Sequence, residues 1–284
     1  MTETFNPPRP WTTSYAAGVP EDLGDVTGSL FDVVERSAQQ YPNAPALEFF
    51  GKTITYAEML EQIERAAEGL RALGVSAGDP VALILPNCPE HIVAFYAVLR
   101  LGAVVVEHNP LYTPRELRKQ FEDHGAKTAI VWNKVVSSVQ EFPDDIAVTN
   151  LISVDITKSM PITTRILLRL PISKARESRE ALYSPVANTV TWEKVTSAGR
   201  LPSIWVRPQT NDLAIIQYTS GTTGTPKGAA LTHRNMIANA MQAQSWTPSV
   251  PRGEGCVFYA VLPMFHAYGL TLCVTFAMSM GARL

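Results

Sequence analysis

Charge is sparse in this sequence, and neither sign prevails. Of its 284 residues 18% are Asp, Glu, Lys or Arg, and the formal net charge is −2. That balance lacks the basic footprint of a nucleic-acid binder. Cysteine is scarce as well: Cys88, Cys256 and Cys273 are scattered, odd in number, and form no C-x-x-C pair. Neither a disulfide framework nor a structural zinc site fits that pattern. Reduced thiols in a cytoplasmic protein do. The amino terminus, MTETFNPPRPW, has no apolar core of the kind a signal peptide needs. No internal repeat is visible. Charge disappears altogether over 256–282, a length that could span a bilayer. Pro263, His266 and Gly269 interrupt the stretch, and Thr271, Thr275 and Ser279 follow. The expectation is core: a buried strand over 257–262, a loop, then a buried helix from about Tyr268.

What remains is rich in apolar residues, 46% of the chain, as a folded α/β protein requires. Pro7, Pro8, Pro10 and Pro20 predict an extended arm over 1–24. An amphipathic helix follows over 29–40, with Leu30, Phe31, Val33 and Val34 on or near one face. Residues 46–50 and 53–55 flank Gly51-Lys52 as a hairpin. Thr55 to Glu58 reads as a capping box opening a helix that Gly74 stops. Then strands at 81–85, 103–106 and 128–132 alternate with helices at 90–101 and from Thr113 to near Gly125, the last with its own capping box, Thr113 to Glu116. Short strands alternating with helices predict a mostly parallel sheet covered on both faces.

One stretch organises the rest. Residues 218–235 read YTSGTTGTPKGAALTHRN, preceded by the short apolar run DLAIIQY, a buried-strand pattern. Thr219, Ser220, Gly221, Thr222, Thr223 and Gly224 carry no bulky side chain. Glycines permit close backbone approach, so successive N–H groups can line one concavity, and the hydroxyls and Lys227 add donors and charge. The arrangement suits phosphate oxygens. It is not the nucleotide P-loop G-x-x-x-x-G-K-[ST], because two residues separate Gly224 from Lys227 and a glycine follows the lysine. A flexible linker would need neither the lysine nor a strand running straight into it.

The stretch resembles the signature loop of the adenylate-forming superfamily, which includes acyl-CoA synthetases and peptide-synthetase adenylation domains. Thr219 to Gly224, Pro226, Lys227, Gly228 and Leu231 to Asn235 carry the match. The phrases GKTITYAEML and LPNCPEHIVAFYAVLRLGAVVVEHNPLYTPREL also resemble bacterial medium- and long-chain fatty acyl-CoA synthetases. The resemblance runs from about Leu30 onward and is weakest over about 141–207. It implies stacked, mostly parallel sheets with helices on both faces, as in the large N-terminal domain of that family. It also implies ATP, Mg²⁺ and coenzyme A as co-substrates or cofactors, a small-molecule carboxylate as substrate, and no protein-held metal. Thr219 to Gly224 and Lys227 would hold the phosphates, and Lys227 would act in catalysis. The segment around His266 (PMFHAYG) resembles a family P-x-F-H-x-x-G turn beside the acyl-adenylate site, which makes His266 a second catalytic candidate. A lone histidine after a buried strand is otherwise more often a satisfied core residue. His91, His108, His124 and His233 receive no catalytic role; His233 is expected to help cap the helix after the loop. Later family motifs are absent, so the chain is expected to be the front of an N-terminal AMP-binding domain: an arm (1–24), a first αβ portion (25–209) and a portion carrying the phosphate loop (210–284), without the C-terminal domain. By itself such a fragment is expected to be inactive. Aryl-CoA and amino-acid adenylating enzymes, and a non-catalytic fold fragment, are the alternative readings.

One segment stands apart. Residues 160–182 (MPITTRILLRLPISKARESREAL) set Arg165, Arg169, Lys174, Arg176 and Arg179 beside Ile166, Leu167, Leu168, Leu170 and Ile172. Weak peripheral contact with the inner membrane face is one reading. An ordinary surface helix packing its leucines inward is the other, favoured by the short apolar run before Pro171.

Overall fold

The computed structural model describes residues 9–146, 148–219 and 226–284. Within the expected arm, residues 1–8 lie outside the described residues, and Pro10–Ser14 forms a 3-10 turn instead of extended chain. Pro10 opens that turn, a position where no N–H is needed. Helix α1 (Leu30–Gln40) starts at a Ser29–Asp32 capping box and α2 (Tyr56–Ala72) at the Thr55–Glu58 box. Strands β1 (Pro45–Phe49) and β2 (Lys52–Thr55) pair antiparallel between them.

The predicted alternation follows as β3 (Pro80–Ile84), α3 (Pro89–Arg100), β4 (Val104–Glu107), α4 (Pro114–His124) and β5 (Thr128–Trp132). Gly125 ends α4 in the left-handed conformation, φ 63°. Beyond come α5 (Val136–Gln140), β6 (Asn150–Val154), α6 (Ile162–Leu167), α7 (Ser173–Leu182), β7 (Val190–Thr191) and α8 (Trp192–Thr196). The hydroxyl-rich stretch is bracketed by β8 (Leu213–Thr219) and β9 (Lys227–Thr232), with α9 (His233–Trp246) after it. A last helix covers 267–279 and is π-helical at Leu270–Phe276.

Seven strands make one sheet in the order β7-β6-β5-β3-β4-β8-β9. All neighbours run parallel except β8 and β9. Side chains alternate across a strand, so each strand feeds two cores. Val81 and Leu83 of β3 join Phe31, Ile63, Phe95 and Tyr96 on one face. Ala82 and Ile84 join Leu117, Phe121, Val136 and Val139 on the other. Helix α3 is buried at all twelve positions. Its composition explains this, since a helix that is apolar nearly all round has no face to give to water. One buried ion pair crosses the first core: Arg100 Nε donates to Glu64 Oε1 at 3.0 Å, with the guanidinium 5.0 Å from the Phe31 ring centroid.

The last helix is largely buried from Gly269 onward, with Tyr268 at its start exposed, and hydroxyls of the front helices hold it. Ser37 donates to the Met278 carbonyl at 2.7 Å and Tyr96 to that of Val274 at 2.7 Å. Among the described residues no helix is long and apolar enough to cross a membrane.

Two expectations of burial fail. Residues 257–262 are not a buried strand: Val257, Tyr259 and Val261 are exposed, and the segment makes one isolated bridge, Val257 to Arg283. Its backbone is tied through Arg283 and Leu284 to β1, whose Ala46 carbonyl accepts from Leu284 N. The apolar alternation is real, but only its inward half is covered. Of 160–182, Leu182 packs against the first core, but most of the aliphatics over 162–172 do not turn inward. Ile162, Ile166, Leu167, Leu170 and Ile172 are all exposed, because α6 and α7 lie outside the sheet's covered faces.

Candidate active site

Ligands of open α/β sheets gather beyond the carboxyl ends of the strands. At that edge the structure brings three neighbours together: the end of β3, the end of β4 and the end of β8. The residues there are unusually polar for central strands. Glu107 closes β4 and is paired in register with Gln217 of β8. His91, in the first turn of α3, lies with Nε2 3.0 and 3.1 Å from the Glu107 oxygens and Nδ1 3.3 Å from the Pro86 carbonyl. Both side chains are fully buried. Burial opposes a charge on His91, but Glu107 and the Pro86 carbonyl outweigh it and hold the pKa above its ordinary value.

The expected phosphate residues divide as follows. Ser220, Gly221, Thr222, Thr223 and Gly224 lie outside the described residues. Thr219 and Lys227 are described, both exposed, and stand opposite each other at the open end of the β8–β9 ladder. The ladder explains why Gly228 follows the lysine. It pairs with Tyr218, and a Cβ built on it would come within 2.8 Å of Ile216 Cγ2. Lys227 therefore emerges where two strands approach closely.

His266 was expected after a buried strand. It is exposed and stands at the N-cap position of the last helix, where its side chain makes no capping hydrogen bond. The turn it occupies is held from two sides. Asn87, just after β3, donates from Nδ2 to the carbonyls of Ala260 and Leu262 at 2.7 and 2.8 Å. Its Oδ1 accepts from Met264 N at 2.9 Å. Gln217 Nε2 donates to the Phe265 carbonyl at 3.1 Å. Gly269 lets the turn close, since a Cβ there would meet the Pro263 carbonyl oxygen at 2.0 Å. Through Gln217, the strand that leads into the loop is tied to the residue beside His266. Lys227 and His266 thus belong to one edge of one sheet.

Asn87, Gln217, Glu107 and His91 are the polar residues that motif reading missed. A signal existed for two of them: Gln217 is the lone amide in DLAIIQY, and Glu107 the lone acid ending AVVVE. A polar group in a buried apolar strand needs a partner.

The other histidines take structural places. His108 Nδ1 lies 2.6 Å from Gln120 Oε1, and burial pushes its pKa down to about 4. His124 is held at about 2 by burial and by His108. His233 does not cap its own helix. Thr232 does that through a capping box with Asn235. Buried, with its pKa lowered to about 4, His233 stays neutral and its Nδ1 accepts from Leu30 N at 3.1 Å, so it caps α1 instead. Tyr218 donates to Asp123 Oδ2 at 2.5 Å, which locks β8 onto α4.

An α/β sheet whose antiparallel edge pair brackets a Thr/Gly-rich sequence and opens its last strand with a lysine, tied through Gln217 to the segment bearing His266, is the class that this geometry defines. The chain belongs to the AMP-binding enzyme family, whose model matches residues 34–284. It is 34% identical over 272 residues to a long-chain-fatty-acid–CoA ligase of Escherichia coli O157:H7, covering 94% of this chain and 48% of the relative. It is 33% identical over 253 residues to 4-coumarate–CoA ligase 2 of Oryza sativa subsp. japonica, covering 86% and 41%. Among solved structures, a long-chain-fatty-acid–CoA ligase from Archaeoglobus fulgidus has the same fold, with TM-score 0.73 at 24% identity over 95% of this chain and 49% of that one. The chain spans about half the length of the curated relatives it matches, or a little less.

Proposed function

We propose that this chain is the ATP-binding portion of an acid–thiol ligase. In the first step a carboxylate oxygen of the substrate attacks the α-phosphorus of ATP, and the bond to pyrophosphate breaks, giving an acyl-adenylate. In the second the sulfur of coenzyme A attacks the acyl carbon and AMP leaves. The displacement at phosphorus is in line and needs no protein nucleophile, so the protein's contribution is positioning and charge stabilisation. Residues 219–224 would cradle the β- and γ-phosphates with backbone N–H groups and hydroxyls, and Lys227 would neutralise charge growing on the departing pyrophosphate. His266 would border the acyl-adenylate, held by the Asn87 and Gln217 contacts to its turn.

The observation that carries the reading is the β8–β9 hairpin, with Thr219 and Lys227 in register at its open end. Mg²⁺ is a separate matter. Among the described residues no three of His, Cys, Asp and Glu gather to hold a metal, so they do not by themselves form a Mg²⁺ site. In this reading residues 210–284 carry the phosphate loop of a nucleotide-binding domain whose first portion is 25–209. A cytoplasmic setting fits the three cysteines, all free and buried.

The acid is a medium- or long-chain fatty acid on the strength of the bacterial relatives' names and the 34% identity. A second reading, an aryl acid, is supported by the 33% identity to the rice 4-coumarate ligase. Carboxylate-dependent ATP–pyrophosphate exchange by the whole protein separates them. Exchange is expected with fatty acids and not with acetate or aromatic acids. Exchange with aromatic acids alone would overturn the fatty-acid assignment, and no exchange with any acid would overturn the ligase reading.

A further inference from the structure

Two side chains buried at the carboxyl edge of the sheet have no part in the activation chemistry: His91, in the first turn of α3, and Glu107, at the end of β4. Nδ1 of His91 faces the Pro86 carbonyl at 3.3 Å, so it carries a proton. Nε2 faces the two Glu107 oxygens at 3.0 and 3.1 Å, so a second proton lies between ring and carboxylate. The pair is satisfied with both protons and titrates as a unit. When one proton leaves, a net negative charge is left buried and one of the two contacts is lost.

A buried pair of this kind adds little stability over apolar side chains of similar volume, so stability does not explain its place. Its neighbours do. The residue after Pro86 is Asn87, whose three hydrogen bonds to Ala260, Leu262 and Met264 hold the turn before His266. The second support of that turn, Gln217, is the register partner of Glu107 on the adjoining parallel strand, so both side chains leave the same face of the sheet. One end of the pair therefore touches the segment bearing Asn87, and the other stands beside Gln217.

Glu107 is the charge that acts on the ring. The groups around it are neutral or engaged elsewhere. Gln217, from β8, carries no charge, and Cys88, ahead of α3, is a buried thiol. His108, next to Glu107 in the chain, is directed to Gln120 of α4. Glu90, next to His91 on α3, accepts from the Ser159 hydroxyl. Burial raises the Glu90 pKa to about 7, so it titrates in a nearby range and has to be common to every protein compared.

We propose that His91 and Glu107 are a positioning pair for the reaction: while the pair keeps both protons the ring pins the Pro86–Asn87 segment, Asn87 pins the turn, and His266 is held in place at the site. The use of the pin rests on the ligase reading; the pin itself does not.

The whole protein and its H91Q/E107Q variant test this from about pH 6 to pH 9. Two amides keep a neutral, hydrogen-bonded pair that cannot titrate, and Glu90 is present in both proteins. The first readout is protection of the backbone amides over 260–266 against hydrogen exchange, Met264 N among them. In wild type it should fall about tenfold as pH rises through the titration of the pair, above 6.5, which is the scale of one lost hydrogen bond. The variant should show no such step. The second readout is carboxylate-dependent ATP–pyrophosphate exchange. Over the same step the wild-type kcat should fall about 10- to 100-fold with KM for ATP unchanged, as a misplaced reacting group requires, and the variant should lack that limb. A role in folding alone would lower exchange at every pH and leave the shape of the profile the same in both proteins. Identical pH profiles of protection and of kcat in wild type and variant would overturn the proposal. A protein silent in exchange, whose protection still steps in wild type alone, would uphold the pin and overturn the ligase reading instead.

Discussion

The centre of the sheet and its β9 edge obey opposite rules. Strands β3 and β4 and helix α3 are almost wholly buried; of their charged groups His91 pairs with Glu107, Arg100 with Glu64 of α2, and Glu90 accepts from the Ser159 hydroxyl. Strand β9 is exposed over its first four residues, built from Lys227, Gly228, Ala229 and Ala230. The centre spends its residues on packing; the edge keeps its side chains small and leaves Lys227 exposed. The contrast teaches where each kind of substitution should act. Changes at the centre should cost stability and drag activity down with it. Changes at the edge should cost activity alone.

Acid is the broadest attack on the interior. His108, His124 and His233 have folded pKa values near 4, 2 and 4, below the ordinary histidine value of about 6.5. The unfolded chain then binds more protons than the folded one between those values. Their contribution is complete above about pH 6.5 and is lost as pH falls below it, by up to about 1.4 kcal/mol per pH unit for each histidine. His91 works in the other direction. Its raised pKa gives a contribution that is full below about 6.5 and fades as pH rises through the folded value. Urea melts from pH 8 to 5 should show a stability maximum followed by a steep acid fall, and His108→Gln should flatten that fall. A flat profile would mean that these rings titrate freely.

Which of these features could be read before the fold was known follows from locality. The capping boxes at Thr55–Glu58 and Thr113–Glu116, and the Gly125 stop, are each decided by residues three or four apart, so they are legible. The Thr/Gly-rich motif ahead of Lys227 is likewise a local pattern, though Ser220 to Gly224 lie outside the described residues. What depends on distant partners is not. Nothing near Asn87 announces that it will hold 260–264, a contact across more than 170 residues. His233 looks like a cap for its own helix and serves α1, 203 positions away. The run over 257–262 alternates like a buried strand, yet alternation reports one covered face and cannot say whether the second is covered too.

Single substitutions sharpen the contrast in descending order. Glu64→Ala leaves the Arg100 guanidinium buried without a counter-charge and should cost about 3–5 kcal/mol in denaturant unfolding. Gly269→Ala forces a Cβ against the Pro263 carbonyl and should cost about 1–3 kcal/mol, with exchange activity falling further than stability alone explains, because the turn bearing His266 must move. A Gly269→Ala protein with unchanged activity would separate that turn from the chemistry.

The most direct test is Lys227→Ala in the whole protein, measured for carboxylate-dependent ATP–pyrophosphate exchange and for thermal unfolding side by side. Lys227 is exposed at the sheet edge, so stability should stay within about 0.5 kcal/mol of wild type. Exchange should fall about 100- to 1,000-fold, the scale for removing one charge-stabilising group. Exchange at the wild-type rate would contradict the account, and so would a loss of exchange that merely follows a loss of folded protein.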